Sequence, residues 1–272
     1  MAETTGIAWT DSTFNPWIGC TKVGPGCDHC YAEALDKRHR WKGAEHWGPG
    51  VPRMRTSASN WQKPLAWNRA REKDGKTHRV FCASLADVFD NEVPEEWRVD
   101  LFGLMYATPN LTWLLLTKRI GNVARMVPWN VGTGFSGGAP KNVWIGATIV
   151  NSEEAERDVP KLLATPAAIR FVSYEPALGP VNWTKFPGID WIIVGGESGT
   201  QARRFDWAWA RSTIAQCRQI GAAPFMKQTG TDYTALYERV QKDRNGADPA
   251  EWPSDLRVQE FPSVAVQKAA RR

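Results

Sequence analysis

Three cysteines stand within eleven positions in the stretch GCTKVGPGCDHCYAE, residues 19–33: Cys20, Cys27 and Cys30, with Gly24, Pro25 and Gly26 bending the chain between the first two. Three thiols converging in a tight loop suit a soft metal or an iron–sulfur cluster. A structural zinc needs a fourth ligand, for which His39 and His46 are possible donors, and the two-pair spacing of a zinc ribbon is missing. A [4Fe–4S] cluster held by three cysteines differs in leaving one iron open to chelate a small molecule. Cluster, zinc and ordinary structural cysteines all remain open at this point. The two other cysteines read as small core residues, Cys82 inside an apolar run and Cys217 on a helix.

A ring of polar residues accompanies the loop. Short apolar runs rich in β-branched and aromatic residues predict strands at 13–18, 79–84, 111–117, 142–149, 169–174, 191–196 and 224–228. They run continuously apolar rather than alternating, as strands covered on both faces do. Helices are expected over 94–107, 152–163 and 206–220, the last with Asp206 at its start and Gly221 at its stop. Alternating strand and helix predicts an α/β protein, a parallel-stranded partial (β/α) barrel of six to seven strands. Ser84, Asp87, Lys118, Arg119, Thr148, Asn151, Glu175, Glu197 and Lys227 then fall at strand ends or just beyond them, the end where parallel α/β folds bind ligands. The barrel is expected over 1–228, with a polar C-terminal extension over 229–272. The glycine-rich stretch 129–140 and the terminal VQKAARR read as a mobile loop and a frayed tail.

The chain has 272 residues, 42% hydrophobic and 23% charged, as an ordinary globular protein has. No apolar run approaches the roughly eighteen residues a membrane span needs, and the first residues carry no secretory pattern, so a cytoplasmic location is expected. There the thiols stay reduced and a disulfide framework is disfavoured. The net charge of +5 leans towards an anionic partner, and fifteen tryptophans suggest surfaces on which bases stack. The stretch 40–55, RWKGAEHWGPGVPRMR, reads equally as a surface loop or a stacking loop; DWAWARS (206–212) reads as helix packing. Neither a Gly-x-Ser-x-Gly elbow nor a Walker loop is present, and none of the four histidines lies at a strand end.

Three cysteines after the first strand of a parallel barrel resemble the radical S-adenosylmethionine superfamily. The segments GCTKVGPGCDHCYAE, SLADVFD, LLLTKR, WIGATIVN, SYEPALGP, DWIIVGGESG, PFMKQTG and DPAEWPSDLRVQEFP look like the phage-associated three-cysteine-motif proteins in particular. The superfamily's usual spacing is Cys-x3-Cys-x2-Cys with the aromatic residue before the last cysteine. Here the first gap is six residues and Tyr31 follows Cys30. The resemblance implies that Cys20, Cys27 and Cys30 hold a [4Fe–4S] cluster, that S-adenosylmethionine binds its open iron, and that an external donor such as a flavodoxin or ferredoxin supplies an electron. Homolysis then gives a 5′-deoxyadenosyl radical that takes a hydrogen atom from the substrate.

The superfamily's GGE motif, which holds the methionine amine, belongs after the second strand, where this chain has SLADVF. Ser84 or Asp87 would have to substitute. Its own GGE, ending at Glu197, follows the sixth expected strand and would line the adenosine or substrate side. Thr148 and Asn151 suit ribose hydroxyls, and Glu175 an amine or hydroxyl. A nucleic-acid or nucleotide substrate, its phosphates met by Lys118, Arg119, Arg203, Arg204 and Lys227, agrees with the basic charge. The rival expectations are a non-enzymatic nucleic-acid-binding barrel with zinc or a redox-silent cluster, and a radical enzyme acting on a small metabolite or peptide. The oligomeric state is not legible.

Overall fold

In the computed structural model, which describes residues 5–130, 139–231 and 242–263, the chain forms two compact units. One comprises Met1–Gly146 with Thr165–Ala168, the other Ala147–Ala164 with Ile169–Arg272. The expected loop at 129–140 and the tail VQKAARR lie largely outside the described residues.

The strands are β1 (Ser12–Thr13), β2 (Trp17–Ile18), β3 (Met54–Arg55), β4 (Arg79–Cys82), β5 (Thr112–Thr117), β6 (Val143–Thr148), β7 (Arg170–Tyr174), β8 (Trp191–Gly195) and β9 (Ala223–Gln228). Seven of them form one sheet in the order β1-β4-β5-β6-β7-β8-β9, so strand order follows chain order. The pairs β1–β4, β4–β5, β7–β8 and β8–β9 are parallel. Parallel neighbours in chain order, joined by helical crossovers, define an α/β protein with a partial (β/α) barrel, as the apolar runs predict. Every residue of β6 and β8 is buried, which is why their sequences do not alternate.

The expected first strand, 13–18, is two strands in two sheets. β1 joins the parallel sheet, while β2 pairs antiparallel with β3 in a separate ribbon. The break falls at Asn15–Pro16. Asn15 donates from Nδ2 to Ser84 Oγ at 3.0 Å and accepts from the Leu85 amide at 2.8 Å, and Pro16 has no N–H to continue a ladder.

The helices are α1 (Tyr31–His39), α2 (Ala58–Trp61), α3 (Lys63–Asp74), α4 (Glu95–Tyr106), α5 (Ile120–Met126), α6 (Ser152–Ala164) and α7 (Trp207–Ile220). The expected helices 94–107, 152–163 and 206–220 correspond to α4, α6 and α7. Their caps explain the agreement. Asn151 Oδ1 accepts from the Glu154 amide at 2.9 Å while Glu154 Oε2 accepts from the Val150 amide at 3.0 Å, and Asp206 Oδ1 accepts from the Ala208 amide at 2.7 Å. α1 and α3 went unread because their sequences are polar on nearly every face.

Each unit packs its own aromatic core. In the first, Phe14 meets Trp61 and Trp113 edge-on, both at 5.7 Å. In the second, Trp191 packs edge-on to Phe225 at 5.8 Å and beside Phe261 at 5.4 Å. The segment 242–263 runs along β9: Met226 N donates to Val258 O at 2.7 Å, and buried Trp252 donates from Nε1 to Gly246 O at 2.9 Å. Nine of the fifteen tryptophans are buried and none is exposed, so the tryptophan excess builds core rather than a stacking surface. Among the described residues no helix is long and apolar enough to cross a membrane.

Candidate functional site: the cysteine loop and its arginine clamp

β2 ends at Ile18, and the chain turns at Gly19, whose φ of +112° and tight seat leave no space for a side chain; a Cβ there would lie 2.3 Å from His46 O. Cys20 follows at once. Cys27 closes a one-turn 3-10 helix, Pro25–Cys27, and Cys30 is the N-cap of α1. All five cysteines are free; Cys27 is buried, while Cys20 and Cys30 are half-buried. Tyr31, just after the third cysteine, reaches the end of β4, where its hydroxyl donates to Ser84 O at 2.8 Å.

Arg119, the residue between β5 and α5, closes on this loop. Its Nη1 donates to Cys20 Sγ at 3.2 Å and its Nη2 to Thr21 O at 2.5 Å. Two aspartates seat the guanidinium, Asp87 at 3.4 Å and Asp90 at 3.6 Å. Asp87 is itself fixed by Thr117 Oγ1 at 2.8 and 3.0 Å, by the Lys118 amide at 3.0 Å and by the Phe89 amide at 2.9 Å. Burial weakens the positive charge of Arg119, but Asp87, Cys20 and Asp90 outweigh it and hold the group above its ordinary pKa. The Cys20 thiol is pushed up to about 12, by burial first and by Asp87 next, with Arg119 opposing them. At neutral pH Cys20 is therefore a neutral thiol that releases its proton only to a cation.

A second arginine completes the clamp. Arg53, with a fully buried side chain, pairs with Asp90 at 2.8 Å and Glu92 at 3.2 Å. It donates to Thr21 Oγ1 at 2.6 Å and to the carbonyls of His46, Gly48 and Val51. The stretch 40–55 is thus fastened to the molecule by Arg53 and by buried His46, whose Nδ1 lies 2.9 Å from Asp36 Oδ1. That pairing leaves Arg53 unable to meet a phosphate. Sequence reasoning missed Arg53, Asp90 and Asn15. The one available signal was the repeated Asp of DVFD, which sets Asp87 and Asp90 three apart.

The sequence-predicted residues of the first unit come together here: Cys20, Asp87 and Arg119 are in contact, the Lys118 amide binds Asp87, and Ser84 Oγ accepts from Asn15. In the second unit, Lys227 Nζ lies 2.7 Å from Glu175 Oε1, and Ser173 Oγ donates to Glu175 Oε2 at 3.1 Å. Arg203 makes a bidentate pair with Glu197, from Nε at 2.9 Å and from Nη2 at 2.7 Å. Asn151 caps α6, Thr148 is buried at the end of β6, and Arg204 is exposed. The glycines of GGE serve close backbone packing: a Cβ on Gly196 would lie 2.1 Å from Thr229 O. Cys82 and Cys217 are buried core residues, as expected, and burial raises both thiols.

In donor chemistry the loop fits an iron–sulfur cluster: three free thiols on one short segment, one already accepting a guanidinium N–H of the kind metal-bound sulfurs take from the protein. Among the described residues no three His, Cys, Asp or Glu side chains are gathered so as to hold a metal ion, so ligation requires the 20–30 segment to close.

Fold and site define an α/β protein of partial-barrel architecture with a clamped three-cysteine loop. The chain belongs to the family described as "Protein of unknown function (DUF5131)", which matches residues 4–252. No curated protein and no solved structure matches it.

Proposed function

We propose that the protein is a radical S-adenosylmethionine enzyme of the cytoplasm whose Cys20, Cys27 and Cys30 hold a [4Fe–4S] cluster. The observation that carries this reading is the placement of three free thiols between β2 and α1, with Arg119 already donating to the sulfur of Cys20. When bound, such a cluster takes one electron from an external donor of the flavodoxin or ferredoxin kind and passes it to the sulfonium. One carbon–sulfur bond breaks, leaving methionine and a carbon radical that removes a hydrogen atom from the substrate. The chain's own contribution is to fix Cys20, to set the charge around it, and to exclude water through the buried walls of the unit.

The substrate class we propose is a nucleic acid or nucleotide, supported by the net charge of +5. Of the cations expected to meet phosphate, Arg119, Arg203 and Lys227 face carboxylates of the protein, and Arg204 is exposed. With no exposed tryptophan, recognition would rest on phosphate contacts rather than on stacking.

Reductive cleavage of the cofactor tests the enzyme reading. Protein reconstituted without oxygen, given S-adenosylmethionine and dithionite, should release methionine and 5′-deoxyadenosine, and the Cys27→Ala variant should release neither. Equal background release by both proteins would refute it.

A further inference from the structure

We propose that Arg119 is the positioning residue of the cysteine loop, fixing Cys20 as the preset ligand and raising the reduction potential of the group its sulfur holds. This rests on the cluster reading above and adds to it a residue outside the cysteine motif.

The placement of Cys20 is over-determined. Arg119 holds its sulfur and the next carbonyl, Gly48 N donates to Cys20 O at 2.9 Å, and Thr21 Oγ1 lies between Arg53, from which it accepts at 2.6 Å, and Gly48 O, to which it donates at 3.0 Å. Arg119 in turn cannot swing away without leaving Asp87 and Asp90, which are 5% and 2% exposed, short of a partner. A guanidinium stays charged at any pH at which the protein folds. Its N–H on a ligand sulfur and its fixed positive charge both favour the more negative, reduced form of a thiolate-bound cluster, and hydrogen bonds to sulfur and local charge are what set such potentials. Two arginines meet around Cys20–Thr21, yet only Arg119 touches sulfur. Arg53 supports the backbone.

The test compares wild type with Arg119→Gln and Arg119→Lys, each reconstituted with iron and sulfide without oxygen, then titrated electrochemically and followed by EPR. Arg119→Gln should load a cluster whose affinity for the electron is about tenfold lower, equivalent to about 59 mV for a one-electron couple. Arg119→Lys, with the charge but without the fork, should fall between. Potentials identical in all three proteins would overturn the proposal. A second measurement needs no variant: pulsed EPR of reduced wild-type protein labelled with 15N-arginine should show a coupled 15N nucleus, and its absence would overturn the proposal even if Arg119→Gln fails to fold. Wild-type protein that takes up no iron would bring down the cluster reading itself, and iron analysis reports that before any potential is measured.

Discussion

Arg119 and Cys20, ninety-nine positions apart in the chain, meet at 3.2 Å through a guanidinium N–H on sulfur. The contact ties the exit of β5 to the loop that follows β2, and it ranks the five cysteines. Cys20 lies in a charged network, whereas Cys82 and Cys217 lie in the core.

The first consequence concerns which thiols hold iron. Replacing Cys20, Cys27 or Cys30 by Ala should each remove most bound iron and the accompanying brown colour, while Cys82→Ala should retain both. Iron analysis after anaerobic reconstitution decides it, and loss of iron in Cys82→Ala would mean the ligand set is wrong.

Asp90 joins both arginines, pairing with Arg53 at 2.8 Å and with Arg119 at 3.6 Å. Asp90→Asn keeps the shape but strands buried positive charge, for which about 3 kcal/mol of destabilisation is expected. Urea unfolding measures it; a change under about 0.5 kcal/mol, the range of ordinary surface substitutions, would show that the network contributes little.

His78 gives the pH dependence. Its Nε2 lies 3.0 Å from Ser12 Oγ, and burial holds its pKa below the ordinary value, with Asp11 working in the opposite direction. The unfolded chain therefore binds the proton first, so stability is intact above the unfolded pKa of about 6.5 and declines as pH falls through that value towards the lower folded one. His78→Gln should flatten the melting temperature between about pH 7 and pH 5.5 relative to wild type. Parallel curves for the two proteins would contradict the assignment.

Nucleic-acid binding should reveal itself in salt. If phosphates are neutralised, the affinity for a single-stranded oligonucleotide falls with added salt, and Arg204→Ala should reduce the logarithmic slope by about 0.7. A slope near zero in wild type would remove nucleic acid from the substrate list.

The partial barrel was legible because LTWLLLT, NVWIGATI and WIIVGG bury both faces, which erases alternation and leaves unbroken apolar runs. The caps of α6 and α7 were legible because Asn151 and Asp206 act on amides two or three residues away. The split of 13–18 was not, because side-chain bonds from Asn15 to Ser84 and Leu85, far along the chain, divide that run. Composition also misled: tryptophans suggested a stacking surface, but rings this large fill the core. Arg53 and Arg119 read as cations for a ligand or surface until the fold brought Asp87 and Asp90 to them.

The cluster itself is the claim most open to direct measurement. Protein purified and reconstituted without oxygen is analysed for iron and sulfide, and its reduced form is recorded by EPR before and after S-adenosylmethionine is added. About four irons per chain, with a spectrum that changes on addition, is the result expected of a three-cysteine cluster with an open iron. One zinc per chain and no iron would contradict it and leave a metal-stapled barrel without radical chemistry.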